Sequence, residues 1–322
     1  MKNILVMGGA GYIGSHTVKH LVENGYNVIV ADNLISGHRE AITTDKFEIA
    51  DLMNKESLRA VFKKYPIDTV IHFAAFIAVG ESVENPAKYY TNNVIGTLNL
   101  LDVMLEFDVK KIVFSSTAAV FGNPIYTPID EKHTTNPINP YGQTKLMIEK
   151  IFEDYRRAYG LSYIAFRYFN ASGCSFDGSI GEAHNPETHL IPLVLKAIKG
   201  ERENIKIFGD DYDTPDGTCI RDYIHVEDLA VAHRLAVENI DKFSGTLNLG
   251  TSKGTSVKEI IDISEKITGK KCPVVIEKRR AGDPAILSAT SDKAKEILGW
   301  SPKYNMEDII KTAWNWELNK KY

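Results

Sequence analysis

Asn3-Ile4-Leu5-Val6-Met7-Gly8-Gly9-Ala10-Gly11-Tyr12-Ile13-Gly14 stands at the head of a chain of 322 residues. Asn3 to Met7 is an apolar run of strand length, and a glycine-rich turn follows at once. The glycines satisfy Gly-x-x-Gly-x-x-Gly counted from Gly8, and Gly-x-Gly-x-x-Gly counted from Gly9. Residues 15–24 read as a helix closed by Gly25, and a second strand, Asn27 to Ala31, ends at Asp32. Strand, glycine turn, helix, strand and terminal acid together form the dinucleotide fingerprint. Gly8, Gly11 and Gly14 let backbone approach a pyrophosphate, and the helix start at Tyr12 and Ile13 offers free N–H groups. Asp32 can accept from ribose hydroxyls, which favours NAD over NADP, although His38 and Arg39 lie close by and are basic.

Strands and helices go on alternating. Thr69 to Phe73 ends at Ala74-Ala75, Pro86 to Phe107 reads as helix with a stripe at Val94, Leu98, Leu101 and Leu105, and Ile112 to Phe114 leads into Ser115-Ser116-Thr117. A further helix runs from Tyr141 to about Tyr159, and Tyr163 to Phe166 is the next strand. This rhythm predicts an α/β fold: a doubly wound parallel sheet of the Rossmann type. In such sheets the ligand lies beyond the carboxyl ends of the strands. Asp32, Ala74, Thr117 and the segment Arg167-Tyr168-Phe169-Asn170 all fall there. After Asn170 irregular Gly/Asp/Pro stretches such as 172–178 and 209–217 separate shorter elements. They suggest a smaller mixed α/β substrate-binding lobe built of loops over a small scaffold. The expected division is 1–169, rejoined by parts of 221–250, and 170–322.

Asn139-Pro140-Tyr141-Gly142-Gln143-Thr144-Lys145 reads as a helix start, with Asn as N-cap and Pro at the first helical position. Tyr141 and Lys145, four residues apart, share one face. An ammonium near a phenol favours the phenolate, and a Tyr so poised can take an alcohol proton.

The bulk numbers exclude several classes. Lys plus Arg is 38 and Asp plus Glu 42, a balance of −4, which gives no reason to expect nucleic acid as a partner. A hydrophobic content of 43% supports a large core. The first strand leaves no room for a signal peptide and no apolar stretch is long enough to span a bilayer, so a cytoplasmic location without a membrane partner is expected. Cys174, Cys219 and Cys272 form no Cys-x-x-Cys pair and read as free thiols. The nine histidines look scattered, and no metal site is expected.

Taken together, these motifs resemble the extended short-chain dehydrogenase/reductases of the NAD-dependent epimerase/dehydratase family, and within them the UDP-glucose 4-epimerases. The resemblance spans essentially the whole chain. It rests on Gly8-to-Gly14 with Ser15-His16, on His72-Phe73-Ala74-Ala75 with Val79-Gly80-Glu81-Ser82, on Ser115-Ser116-Thr117 and on Tyr141-x-x-x-Lys145. The nucleotide-sugar part rests on Arg167-Tyr168-Phe169-Asn170, Arg221-Asp222-Tyr223-Ile224-His225-Val226 and Arg279-Arg280-Ala281-Gly282-Asp283-Pro284.

It implies that Tyr141 takes the proton from the sugar 4-hydroxyl while C4 gives hydride to NAD, and that Lys145 holds the Tyr pKa down and bonds the nicotinamide ribose. Thr117 would hydrogen-bond the 4-oxygen and relay the proton. The 4-keto sugar would then turn over and take hydride back on its opposite face, with NAD retained throughout. The resemblance adds Asn33, Asp51 and Leu52 to the NAD contacts made by Asp32. Farther along the chain it adds Phe73, Ala74, Ala75, Asn92, Ser115 and Tyr168. For the UDP-sugar it implies Asn170, Arg221, Arg280 and Asp283 around phosphates and ribose, Phe208 stacked on uracil, and His189 and Leu190 beside them. Leu287 holds the position that gates the sugar 2-substituent, so N-acetylated sugars come into question, and Ile77 stands where some relatives carry a Lys toward the NAD phosphates.

Three other readings share this fold. A nucleotide-sugar 4,6-dehydratase would place an Asp-Glu pair after the strand-end Thr, whereas Thr117 precedes Ala118-Ala119. A simple NAD-dependent dehydrogenase would release NADH, and a non-catalytic NAD-binding regulator would have lost Tyr141 or Lys145. A homodimer is implied, paired through the helices around 92–107 and 141–159, the latter carrying a stripe of Met147, Ile148, Ile151, Phe152 and Tyr155.

Overall fold

The computed structural model describes residues 2–280 and 283–322; Ala281 and Gly282 of the Arg279–Pro284 motif lie outside the described residues. The chain starts with β1 (Asn3–Met7), α1 (Tyr12–Glu23), β2 (Asn27–Asp32), β3 (Phe47–Ile49), α2 (Lys55–Lys64) and β4 (Thr69–His72). Two short helices, α3 (Val79–Glu84) and α4 (Pro86–Tyr89), run into a wide π-type turn at Tyr90–Ile95 and then α5 (Gly96–Glu106). β5 (Lys111–Ser115), α6 (Pro140–Tyr159), β6 (Ser162–Arg167) and β7 (Asn170–Ser172) follow.

The remaining elements are α7 (Leu190–Lys199), β8 (Ile205–Phe208), β9 (Ile220–Arg221), β10 (Tyr223–His225) and α8 (Val226–Asn239). They continue with β11 (Gly245–Asn248), β12 (Thr255–Ser256), α9 (Val257–Thr268), β13 (Val274–Glu277), β14 (Ile286–Leu287), α10 (Asp292–Leu298) and α11 (Met306–Leu318).

Seven parallel strands form the main sheet in the order β11-β6-β5-β4-β1-β2-β3. Its interior strands are apolar on both faces, as helices on both sides require. Alternation then sorts side chains between two cores. Ile4 and Val6 join Val18 and Leu21 of α1 and Leu229 and Ala236 of α8, while Leu5 and Met7 join Val61 of α2, Leu101 of α5 and Phe152 of α6. α8 and β11 thus return late in the chain to the first half, α8 packing against α1 and β11 pairing with β6. The order reverses between β1 and β4, whose carboxyl ends open a crevice.

Two expectations need correction. The buried spacing on α5 is Thr97, Leu100, Leu101 and Met104, with Leu98 and Leu105 only half-buried. The wide turn before it inserts one residue into the helical path and shifts the register. The part after Asn170 is also more regular than loops over a scaffold. α7, α9 and α11 enclose their own cores, around Ile191, Leu195, Ile260 and Ile310 and around Val194, Ile205, Ile207 and Ile261. α9 begins with a reciprocal cap between Ser256 and Glu259, and α7 ends on the left-handed Gly200.

Candidate active site

The glycine turn between β1 and α1 is shaped by close approaches. Gly8 takes φ +78°, and a side-chain carbon there would lie 2.6 Å from the Ala74 backbone nitrogen. At Gly14 the same carbon would lie 2.2 Å from the Gly8 carbonyl oxygen. Gly11 is the N-cap of α1 and offers no side-chain cap, which leaves the first amides of the helix for a ligand. A cleft opens over this turn. Gly8, Gly11, Asp32, Asn33 and Leu52 line it, and Phe73, Ala74, Ala75 and Asn92 close it from the β4 side.

At the tip of β2, Asp32 accepts from Ala10 N at 3.0 Å and from Leu34 N at 2.8 Å, and is 8% exposed. Burial raises its carboxyl pKa while the backbone amides of Leu34, Ala10 and Asn33 oppose that rise. Asp51 stands outside the cleft wall and orients Asn33, whose amide donates to it at 2.9 Å. These residues fit a bound dinucleotide: backbone approach at the glycines, uncapped helix amides and an acid at the second strand end.

At the start of α1 the side chains turn from the cleft, Tyr12 donating its hydroxyl to Gly173 O and Ile13 packing on the sheet core, while the backbone of Tyr12, Ile13 and the buried Gly14 stays at the glycine turn. Ser115 and Tyr168 bond each other at the ends of β5 and β6. Asn92 lies within the wide turn, where neighbouring Asn93 bonds Phe76 N at 2.9 Å and Thr144 of α6 at 3.2 Å. Ile77 is exposed.

α6 starts as its sequence foretells, with Asn139 capping Gly142 N at 2.8 Å and Pro140 in the first turn. Lys145 is 1% exposed and donates to Ser115 O at 2.7 Å, with its nitrogen 4.6 Å from the Phe114 ring centroid and 6.0 Å from that of Tyr141. Burial pushes the Tyr141 phenol up to about 12, against a downward pull from Thr117. Burial likewise lowers Lys145 to about 7, with Glu149 opposing. In this geometry Lys145 donates to the Ser115 carbonyl, and burial outweighs any downward pull on Tyr141. Thr117 caps the short turn Ala118–Val120, accepting from Ala119 N at 3.1 Å.

Sequence reasoning missed the support beneath these residues. Glu149, four residues after Lys145, is buried and pairs with Arg167, which donates through Nε at 3.0 Å and through its second terminal nitrogen at 2.5 Å. Ser116 donates to the same carboxylate. The i, i+4 spacing of Lys145 and Glu149 was the available signal.

Past β6, Asn170 donates to Asp222 O at 2.8 Å. Arg221 donates to Pro284 O at 2.9 Å and to the Asp283 carboxylate at 3.1 Å, and pairs in register with Leu287 of β14. The Arg280 guanidinium lies 3.8 Å from the Phe208 ring centroid. Leu287 packs on the cluster containing Ala118, the neighbour of Thr117, and so links this group to the head of α6. His189 is the N-cap of α7 and Leu190 its first residue.

His189 also joins Glu182, His184 and Glu187 in a cluster that the scattered-histidine reading overlooked. Glu182-x-His184 and Glu187-x-His189 was its trace in the sequence. That reading also passed over His16-x-x-x-His20 on α1, where His16 Nδ1 faces Tyr12 O and His20 Nε2 accepts from Arg234.

No helix among the described residues is long and apolar enough to cross a membrane. Residues 4–250 match the NAD dependent epimerase/dehydratase family. A UDP-glucose 4-epimerase of Halalkalibacterium halodurans is 57% identical over 316 residues, 97% of this chain and 95% of that protein. The crystal structure of UDP-glucose 4-epimerase from Brucella ovis in complex with NAD superposes with a TM-score of 0.95 at 50% identity, covering 98% of each chain. That of the Bifidobacterium longum enzyme in complex with NAD+ and UDP gives 0.94 at 40% identity, covering 99% of each. With the motif, the sheet and these relatives in agreement, the chain belongs to the NAD dependent epimerase/dehydratase family.

Proposed function

We propose that the protein is a UDP-glucose 4-epimerase, interconverting UDP-galactose and UDP-glucose through a 4-keto sugar with NAD retained during turnover. The observation that carries this reading is the glycine-turn cleft at the carboxyl ends of the strands, in a chain 57% identical over 316 residues to a known epimerase and carrying Tyr141 and Lys145 one turn apart on α6.

NAD, when bound, supplies a hydride acceptor for C4 that becomes the donor in the second half-reaction. Tyr141 Oη takes the proton of the 4-hydroxyl and later returns it, with Thr117 Oγ1 orienting the 4-oxygen. With its phenol at about 12, Tyr141 holds its proton at neutral pH and must gain positive charge nearby to act as base. Lys145, buried and lowered to about 7, lies on the same helix face to provide it. Gly8, Gly11, Asp32 and Asn33 hold the dinucleotide, together with Phe73, Ala74, Ala75 and Asn92. Ser115 and Tyr168 shape the wall behind it. Asn170, Arg221, Arg280 and Asp283 hold the UDP phosphates and ribose, Phe208 stacks on the base, and His189 and Leu190 close that side. A dehydratase is disfavoured because Ala118 and Ala119 carry no transferable proton.

On this reading 1–169 with parts of 221–250 bind NAD, and 170–322 bind the UDP-sugar. The free thiols fit the reducing cytoplasm. Two copies pair through α5 and α6. Ile148 and Phe152 are committed to the core, while half-buried Met147, Ile151 and Tyr155 and exposed Ile95 and Tyr159 remain for the partner. Purified protein without added NAD should convert UDP-galactose to UDP-glucose by NMR. No conversion, even with NAD added, rejects the assignment.

A further inference from the structure

Between β7 and α7 the chain gathers Glu182, His184, Glu187 and His189, whose candidate ligand atoms all lie within 4.8 Å of one another. We propose that these four side chains form a structural site for one divalent transition-metal ion of the Zn2+ class, two imidazole nitrogens and two carboxylate oxygens completing a closed tetrahedron.

The distances suit that geometry. His189 Nδ1 lies 2.8 Å from Glu182 Oε1 and 3.0 Å from Glu187 Oε1. His184 Nδ1 lies 3.1 Å from Glu182 Oε1 and 3.9 Å from Glu187 Oε2. Ligands about 2.0–2.1 Å from zinc at tetrahedral corners stand roughly 3.4 Å apart; three of these imidazole–carboxylate separations are a few tenths shorter, and the fourth, to the other Glu187 oxygen, is longer.

Charge points the same way. The two carboxylates are 6% and 5% exposed. Among the described residues their only cationic partners are these two imidazoles, with no Lys or Arg at either. Two buried carboxylates facing imidazoles alone outnumber the single positive charge that one imidazolium supplies, and a divalent ion neutralises both. The donor set narrows the ion: imidazole disfavours Mg2+ and Ca2+, and the lack of thiolate disfavours Cu+.

The backbone around the site is tied down on both sides. Trp316 Nε1 donates to Glu182 O at 2.8 Å, and His38 Nε2 lies 2.8 Å from Ala183 O. Pinning this stretch fixes His189 and Leu190 at the start of α7, so the ion would set the position of one wall of the sugar-nucleotide site without touching the reaction.

Untagged protein, stripped with EDTA and dialysed, would be titrated with Zn2+ against a chromogenic chelator and with Co2+ under visible absorption. One Zn2+ per chain and the intense bands of tetrahedral Co2+ are expected. His184→Asn should weaken Zn2+ by more than roughly 100-fold, the upper end for losing an outer partner of a ligand, with an unchanged far-ultraviolet circular dichroism spectrum. Glu187→Gln serves as the second variant should His184→Asn fail to fold. Wild-type protein with neither stoichiometric Zn2+ nor tetrahedral Co2+ bands overturns the proposal, leaving a proton-bridged cluster. So does a folded variant that binds Zn2+ as tightly as the wild type.

Discussion

The Arg280 guanidinium covers the face of the Phe208 ring, 3.8 Å from its centroid. A cation over an aromatic face is held by the ring quadrupole, worth about 0.5–1 kcal/mol where solvent reaches it. If Phe208 stacks on uracil through the face Arg280 covers, the base displaces Arg280, which is then freed to meet phosphate. On the proposed reading, binding of UDP on that face exchanges one cation–π contact for a base stack and a charge-assisted pair. Arg280→Ala should weaken UDP by about 1.5–3 kcal/mol, roughly 10- to 150-fold. Phe208→Ala should cost about 0.5–1.5 kcal/mol. Calorimetric titration with UDP checks both, and unchanged affinity in Arg280→Ala would remove it from the nucleotide site.

Tyr141→Phe deletes the proton-carrying oxygen and little else. The turnover number for UDP-galactose should fall by about 10²- to 10⁴-fold, the usual worth of a positioned acid–base group, while bound NAD and thermal stability stay near wild type. Single-turnover absorbance at the NADH band with UDP-galactose should show the same loss. A Tyr141→Phe protein that turns over normally would move the base elsewhere.

How far the sequence reaches is visible in particular residues. β1, β2 and the cap of α6 were legible because they depend on local chemistry: an apolar run between turns, an Asn before a Pro, glycines where backbone meets backbone. The cleft lining was legible by resemblance, whereas the outward direction of the Tyr12 and Ile13 side chains was not, since it depends on the helix pose and not on the motif. Glu149 and Arg167 were opaque for a different reason. Their pairing joins α6 to β6 across 18 residues, and nothing in either local pattern names the partner. The Glu182–His189 cluster has only an alternating spacing on an irregular loop, where no helix or strand period aligns the ligands.

Breaking the Glu149–Arg167 pair should be costly because both groups are out of solvent. Removal of one partner leaves an unpaired buried charge, about 3–5 kcal/mol. Glu149→Ala should lower the urea midpoint accordingly, and Arg167→Met alone should do the same. The double variant should recover part of the loss, since no lone charge remains. Additive losses would show that the pair is not the reason.

Gly14→Ala should be severe and Gly80→Ala mild. The new carbon at Gly14 would stand 2.2 Å from Gly8 O, and nothing lies within 4 Å of it at Gly80. Gly14→Ala must push the glycine turn off α1, so NAD retention after gel filtration should drop at least tenfold along with stability. At Gly80, near the start of α3, Ala should be neutral or slightly stabilising, by about 0.4–1 kcal/mol. The ratio of absorbance at 260 and 280 nm reads retained nucleotide directly. Equal retention in the two variants would separate the turn from cofactor binding.

Acid should destabilise the protein through its buried histidines. Burial lowers His16 and His233 to about 4 and His72 and His225 to about 3, so each is neutral in the folded state over a range where the unfolded chain is protonated. For these depressed bases the unfolded state binds more protons between the folded pKa and about 6.5, so stability rises with pH there and falls on acidification. Each contributes a slope of about 1.4 kcal/mol per pH unit in that window. Urea unfolding between pH 6 and pH 4.5 should therefore show a steep loss of stability, and His233→Gln should flatten the slope by about that amount. An unchanged slope would mean that His233 takes up its proton in the folded state, against the burial of a ring whose Nε2 has no hydrogen-bond partner.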